Sequence, residues 1–307
     1  MAGATDAHRL NNLVIRLSAI RNCGILAGTY SGPLKSGTRG HYIGGEMKTK
    51  FMKVLALAMG AALACFALSA CGGGSSDNAA DGDIKLVKEG TLTVITSADY
   101  PPFEYMDGDN IVGYDAAIIT EVAKRLDLDV QISHMAFDSL ITQVAGGAAD
   151  VSISAMTIDD ERLAEIDFTD SYYDSNLAVV VKTDSKIADL DGLKGVAIGA
   201  QSGTSGENWV KENVGDENYT PFQEMTEALS SLRTGKVEAL VFDAPVAEQY
   251  VKTSYTDCKV LEVIPTGEQY GIAVNKENKA LTEAINKALA DMKADGTMDE
   301  IGKELVK

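Results

Sequence analysis

Two charged side chains stand where a fold could bring them to bear on a small molecule. Arg162 follows Ile158-Asp159-Asp160-Glu161, a run that reads as the opening of a helix shortly after a strand ending at Ser154. A guanidinium offers paired donors that match a carboxylate, which an ammonium head cannot do. Asp243 directly follows an apolar strand at 237–242, where a carboxylate could receive a cation. Each residue also has a plainer reading. Arg162 could be an exposed side chain paired with Asp159 at i,i+3. Asp243 could cap the helix expected from Ala244, with Pro245 early in it. Other chemistry is thinly provided for. The histidines are His8, His41 and His134, and the cysteines Cys23, Cys65, Cys71 and Cys258, with no CxxC and no zinc spacing. No GxxxxGK[ST] phosphate loop is present.

The 307 residues suit one large or two ordinary domains, and 45% hydrophobic with 23% charged is enough for a normal core. The net charge of −18 is uneven: residues 1–70 carry +6 and residues 71–307 carry −24. A body this acidic repels phosphate backbones, which excludes nucleic acid as a partner.

The basic end reads as an address. Residues 47–71 place Lys48, Lys50 and Lys53 before an uncharged run of 17 residues, Val54 to Ala70, that ends in small residues. That is secretory signal anatomy. It closes as Leu68-Ser69-Ala70-Cys71-Gly72, which resembles a bacterial lipobox and implies cleavage before Cys71 and lipidation of its thiol. A plain signal with an incidental cysteine, or an uncleaved anchor, is the alternative. Two or more acyl chains would hold the protein on a membrane more firmly than the single chain that binds marginally. Residues 47–70 are thus read as a lipoprotein signal peptide, and 1–46 as a mis-assigned upstream extension with Met47 as the start. Residues 71–84 are the lipidated cysteine and a Gly-, Ser- and Asn-rich tether, reaching about 20 Å.

The body must supply the framework. Alternation and apolar periodicity predict strands at 91–97, 130–133, 151–154 and 177–182, with helices at 114–128 and 139–145. The pattern restarts with strands at 195–199, 237–242, 260–264 and 270–275. Helices are expected at 205–214, 225–234, 244–251, 277–293 and 298–306. Strands separated by helices imply crossovers and largely parallel sheets. Two starts imply two lobes, with ligands outside the strand C-termini.

Several motifs fall in register with a known family. They are Tyr100-Pro101-Pro102-Phe103-Glu104-Tyr105, Gly113-Tyr114-Asp115, Phe137-Asp138-Ser139-Leu140, Gly147-Ala148-Ala149-Asp150, and Asp167-Phe168-Thr169-Asp170. The match continues through Asp191-Gly192-Leu193-Lys194-Gly195, Gly235-Lys236-Val237-Glu238-Ala239 and Tyr270-Gly271-Ile272-Ala273. Residues 85–307 resemble the polar amino-acid substrate-binding proteins of ABC importers, solute-binding protein family 3. The resemblance implies an α/β, two-lobed periplasmic-binding-protein-like (type II) fold with a cleft between lobes and two hinge crossings. Lobe 1 is expected at 85–178 plus 272–307 and lobe 2 at 183–269, with hinge segments at 179–182 and 270–271.

The resemblance assigns the α-carboxylate of a free amino acid to Arg162 and its ammonium to Asp243. It gives Ser154, Ala155 and Thr157 backbone and hydroxyl contacts, with only a backbone contact carried over at Ala155. Gly203, Thr204 and Ser205 open a helix whose N–H groups suit a carboxylate, although ordinary capping explains them too. Tyr100 and Phe137 are the expected aromatic walls. Phe103 is expected in the core, and Glu104 in the pocket or on its rim. Trp209, Tyr172 and Tyr173 are expected to pack or edge the hinge, and Cys258 to be buried and inert. No cofactor, metal or catalytic residue is implied.

A zwitterion held by opposite lobes would favour their closure. The partners implied are a polar amino acid (glutamine, a basic amino acid or cystine), the ABC permease subunits and, through the lipid, the extracytoplasmic face of a bacterial membrane. A monomer is expected. A sensor domain on the same fold is the alternative. A small-acid dehydratase is another, and would need a general acid or base in the cleft.

Overall fold

The computed structural model describes residues 83–305. The leader, Cys71 and nearly all of the tether lie outside the described residues. In chain order the elements begin with β1 (Thr91–Thr96), β2 (Asp99–Tyr100), β3 (Glu104–Asp107), β4 (Asn110–Val112), α1 (Tyr114–Arg125) and β5 (Asp129–His134). Next come α2 (Leu140–Ala145), β6 (Val151–Ser152), α3 (Asp160–Glu165), β7 (Asp167–Phe168) and β8 (Tyr173–Lys182). The chain continues with β9 (Ile198–Gln201), α4 (Ser205–Asn213), β10 (Tyr219–Phe222), α5 (Met225–Thr234), β11 (Ala239–Asp243) and α6 (Ala244–Thr253). It ends with β12 (Cys258–Tyr270), β13 (Ala273–Val274), α7 (Lys279–Ala294) and α8 (Thr297–Leu305).

Two sheets carry the architecture, one per lobe. The first has the order β5-β1-β6-β13-β7 and the second β10-β9-β11-β8-β12. The three-stranded β2-β3-β4 lies beside the first, with Phe103 between β2 and β3 fully buried. The central strands are apolar on both faces, because helices cover both: Leu92, Val94, Val151 and Val274 in one sheet, Leu177, Val179, Val181, Ala239 and Val241 in the other. α1 packs Ile118, Ile119 and Val122 inward, and α7 does so with Leu281, Ile285 and Leu289, the spacing of one helical face.

The sheets are mixed rather than largely parallel. β1 runs parallel to β5 and β6, and β9 parallel to β10 and β11. β13 is antiparallel to β6 and β7, and β8 antiparallel to β11 and β12. These antiparallel strands follow from the chain leaving one lobe and returning. The expected first hinge at 179–182 is corrected by this pairing. Val179, Val180 and Val181 are hydrogen-bonded to β11 on one side and β12 on the other, so they belong to the second sheet. The chain crosses earlier: Tyr173, Asp174 and Ser175 pair with Tyr270, Gln269 and Glu268, side by side with the returning strand. A register shift between Ile264 and Glu268 separates this ribbon from the sheet proper. Tyr173 stacks on Tyr270 across it, with centroids 5.6 Å apart. Among the described residues no helix is long and apolar enough to cross a membrane.

Candidate functional site

The C-terminal ends of four strands converge. β1 leads into Ser97 and Tyr100, and β6 into Ser154, Ala155 and Thr157. β9 ends on Gln201 and leads to Thr204 and Ser205, and β11 ends on Asp243. Together with Glu104, Phe137 and Arg162 these residues line one cavity between the lobes. This is the position that the crossover rule anticipates for α/β sheets.

Arg162 lies in the first turn of α3. Asp159 caps that helix, accepting from the Arg162 backbone N–H at 2.7 Å. The ion pair with Asp159 exists at 3.4 Å, but the arginine is not a surface residue, being 6% exposed. Its guanidinium donates to the Thr157 carbonyl at 2.5 Å and, across the cleft, to the Gly203 carbonyl at 2.9 Å. It lies over the Phe137 ring, 5.5 Å from the centroid. Burial lowers its pKa, while Asp159, Asp243 and Glu268 act in the opposite sense.

Asp243 precedes α6, yet its side chain makes no cap. Its carboxylate instead accepts from the hydroxyls of Tyr100 (2.5 Å), Ser175 (3.3 Å) and Tyr270. Burial pushes its pKa up, and these hydroxyls pull it back. Tyr100 and Tyr270 are pushed well above the usual phenol range, by burial first and then by Asp243, so they remain donors. Arg162 and Asp243 are thus a buried guanidinium and a buried carboxyl on opposite lobes, facing one cavity.

The remaining expected residues separate into two groups. Tyr100, Phe137, Ser154, Ala155, Thr157, Thr204 and Ser205 line the cavity, whereas Gly203 lines the adjoining cleft mouth. The Ala155 N–H is already taken by the buried Asp115, at 2.7 Å. Asp115 also accepts from Tyr172, and burial raises its pKa to about 6. Thr204 caps α4, accepting from Glu207 N–H at 3.2 Å and donating to the Gln201 carbonyl at 2.7 Å. The Ser205 N–H remains without an intrahelical partner by the geometry of a first turn.

Sequence reasoning misses Ser97 and Gln201, which are bonded to each other at 3.4 Å across the lobes, and Glu268, which stands behind the cavity. Serine and glutamine carry no motif of their own. For Glu268 the usable signal is an acidic residue next to a hinge. Glu104 proves to be pocket rather than rim. It is 1% exposed, accepts from Ser154 Oγ at 2.9 Å, and is hydrogen-bonded carboxyl to carboxyl with Asp115. Burial, and then Asp115, raise its pKa well above the usual carboxylate range. Cys258 is buried and free.

Two lobes joined by a paired double crossing, with a closed polar cavity between them, define a type II binding-protein fold. The chain belongs to the bacterial extracellular solute-binding proteins, family 3, whose model matches residues 92–306. It is 34% identical to the arginine-binding extracellular protein ArtP of Bacillus subtilis, over 82% of this chain and 98% of that one. The L-cystine-binding protein TcyA of Bacillus subtilis is 36% identical over 82% of this chain and 97% of its own length. Among solved structures, an ancestral arginine-binding protein bound to glutamine is 40% identical with a TM-score of 0.67, covering 71% of this chain and 98% of that one.

Proposed function

We propose that this chain is the extracytoplasmic substrate-binding component of an ABC importer and that it captures a free polar amino acid by closing its lobes. The observation that carries this is the placement of Arg162 and Asp243, both buried and both facing one small cavity from opposite lobes. In this reading Arg162 takes the α-carboxylate and Asp243 the α-ammonium. Tyr100 and Phe137 flank the stem, and Ser154, Thr157 and the N-terminus of α4 complete the polar contacts. Only the closed arrangement offers both charges, so ligand binding shifts the equilibrium towards it. The crossings at 173–175 and 268–270 are the hinge.

Charge balance favours a basic side chain. Arg162 and Asp243 are neutralised by the two ends of a zwitterion, which leaves the Glu104 carboxyl, set beside Asp115, facing the cavity. A guanidinium or ammonium would satisfy it. The raised pKa of Glu104 favours the second reading, in which a neutral carboxyl meets the amide of glutamine. The relatives include arginine-binding and cystine-binding proteins. The leader supports membrane attachment through a lipidated Cys71, and a loaded monomer would dock on a permease. Calorimetry against the twenty amino acids, cystine and ornithine tests the reading. Saturable heat with a basic amino acid is expected, and silence with all of them would overturn it. Mass spectrometry of the membrane-extracted protein tests the lipid.

A further inference from the structure

Glu268 lies on β12 in the hinge ribbon, opposite Ser175, and is 9% exposed. Its Oε2 accepts from the Thr157 hydroxyl of one lobe and the Ser205 hydroxyl of the other, each at 3.2 Å. Both donors line the cavity, although Glu268 does not. The same carboxyl faces Asp243. Three cavity-lining groups on two lobes therefore converge on one side chain in the segment that joins the lobes.

We propose that Glu268 is the positioning residue of the ammonium subsite. It holds Asp243, Thr157 and Ser205 in the closed geometry, and a proton that it shares with Asp243 passes to solvent when an α-ammonium group arrives. This rests on the amino-acid reading above. Two adjacent buried carboxylates cannot both ionise without a nearby cation. Arg162 is in the field of both, but its ion pair is with Asp159 and it contacts neither carboxylate of the pair. The other groups facing the pair are the Tyr100 and Tyr270 hydroxyls, which stay protonated, with Glu104 beyond Tyr100. Burial and Asp243 push Glu268 up to about 7, and burial pushes Asp243 up as well. The arriving ammonium replaces one positive charge with another, so the pair becomes fully ionised while the local charge is conserved.

The test is titration calorimetry at pH 7 in phosphate and in Tris, with L-arginine, or with L-glutamine if arginine gives no heat. The wild-type heat should differ between buffers, corresponding to release of a large fraction of one proton. In Glu268→Gln the release should fall below half of that, with affinity reduced about three- to tenfold, the scale of one ordinary hydrogen bond. Glu268→Asp, which keeps the carboxyl, should restore proton release. Proton release that is undiminished in Glu268→Gln relative to wild type overturns the inference alone. Absence of binding by every amino acid overturns the proposed function and this inference with it. The difference between wild type and Glu268→Gln decides, because Asp99 and Glu104 also have raised pKa values and can exchange protons on binding.

Discussion

The Arg162 guanidinium donates to the carbonyl oxygen of Gly203 across the cleft, at 2.9 Å. The bond closes the cavity mouth from both lobes, and the backbone that makes it is one a side chain would disturb. Gly203 has φ +78°, and a Cβ there would stand 3.1 Å from the Asp138 Cα of the other lobe.

Gly203→Ala should therefore fail in two separable ways. The positive φ costs an alanine about 1 kcal/mol in either form, a melting loss of about 2–4 °C. The crowding against Asp138 exists only when the lobes are closed. Ligand affinity should fall further, and small-angle scattering should show a smaller ligand-induced contraction than in wild type.

Asp243→Asn replaces one of the two oxygens that receive three hydroxyls by an amide NH2 and removes the carboxylate charge from the cavity. Loss of one partner from a buried charged contact costs about 2–5 kcal/mol of binding. Affinity measured by calorimetry should fall at least thirtyfold. The empty protein should melt no lower than wild type, because a carboxylate raised by burial is no longer enclosed.

Glu104→Gln tests the side-chain subsite. The variant should bind L-arginine at least tenfold more weakly and leave L-glutamine nearly unchanged, since an amide presents no charge to a guanidinium. An unchanged arginine affinity would place the guanidinium elsewhere.

A second clasp gives the closed form a pH dependence. Asp99 on β2 accepts from the backbone N–H groups of Met225 and Thr226, at the start of α5 in the other lobe. The Tyr250 hydroxyl donates to its carbonyl at 2.6 Å, and Glu224 stands beside it, with His134 3.6 Å from Glu224. Burial, then Glu224, raise the Asp99 pKa from 3.8 to about 7. A carboxyl raised on closure binds its proton more tightly there, so its contribution is full below about 4 and is lost as pH rises through about 7. The empty protein should melt higher at pH 5 than at pH 7.5. Asp99→Asn, whose amide oxygen can still accept from Met225, should reduce that difference. A higher melting temperature at pH 7.5 in wild type would refute the clasp.

Local pattern was sufficient for much of the framework. The helix expected at 225–234 is the one observed, and β1 and α1 differ from expectation only at their ends. These segments declare themselves because apolar spacing and end signals sit within a dozen residues. The same locality explains what went unread. β2, β3 and β4 are two to four residues long and stand beside the cavity, too short for any periodicity to register. α3, which carries Arg162, shows its start in Asp159-Asp160-Glu161 but is only a turn and a half held by its Asp159 cap, too short for its extent to be read.

By itself the sequence determined the order of strands and helices, the restart that makes two lobes, and the positions of Arg162 and Asp243 near strand ends. Whether Arg162 was surface or cavity, and whether Asp243 capped a helix or lined the cavity, was decided only in three dimensions. So were the early crossing at Tyr173 and the convergence of Glu268 on both lobes. The reason is separation along the chain. Tyr100 meets Asp243 across 143 residues and Thr157 meets Glu268 across 111, and no periodicity reaches that far. Such contacts exist only once the two sheets have formed and the paired crossing has brought their strand ends together.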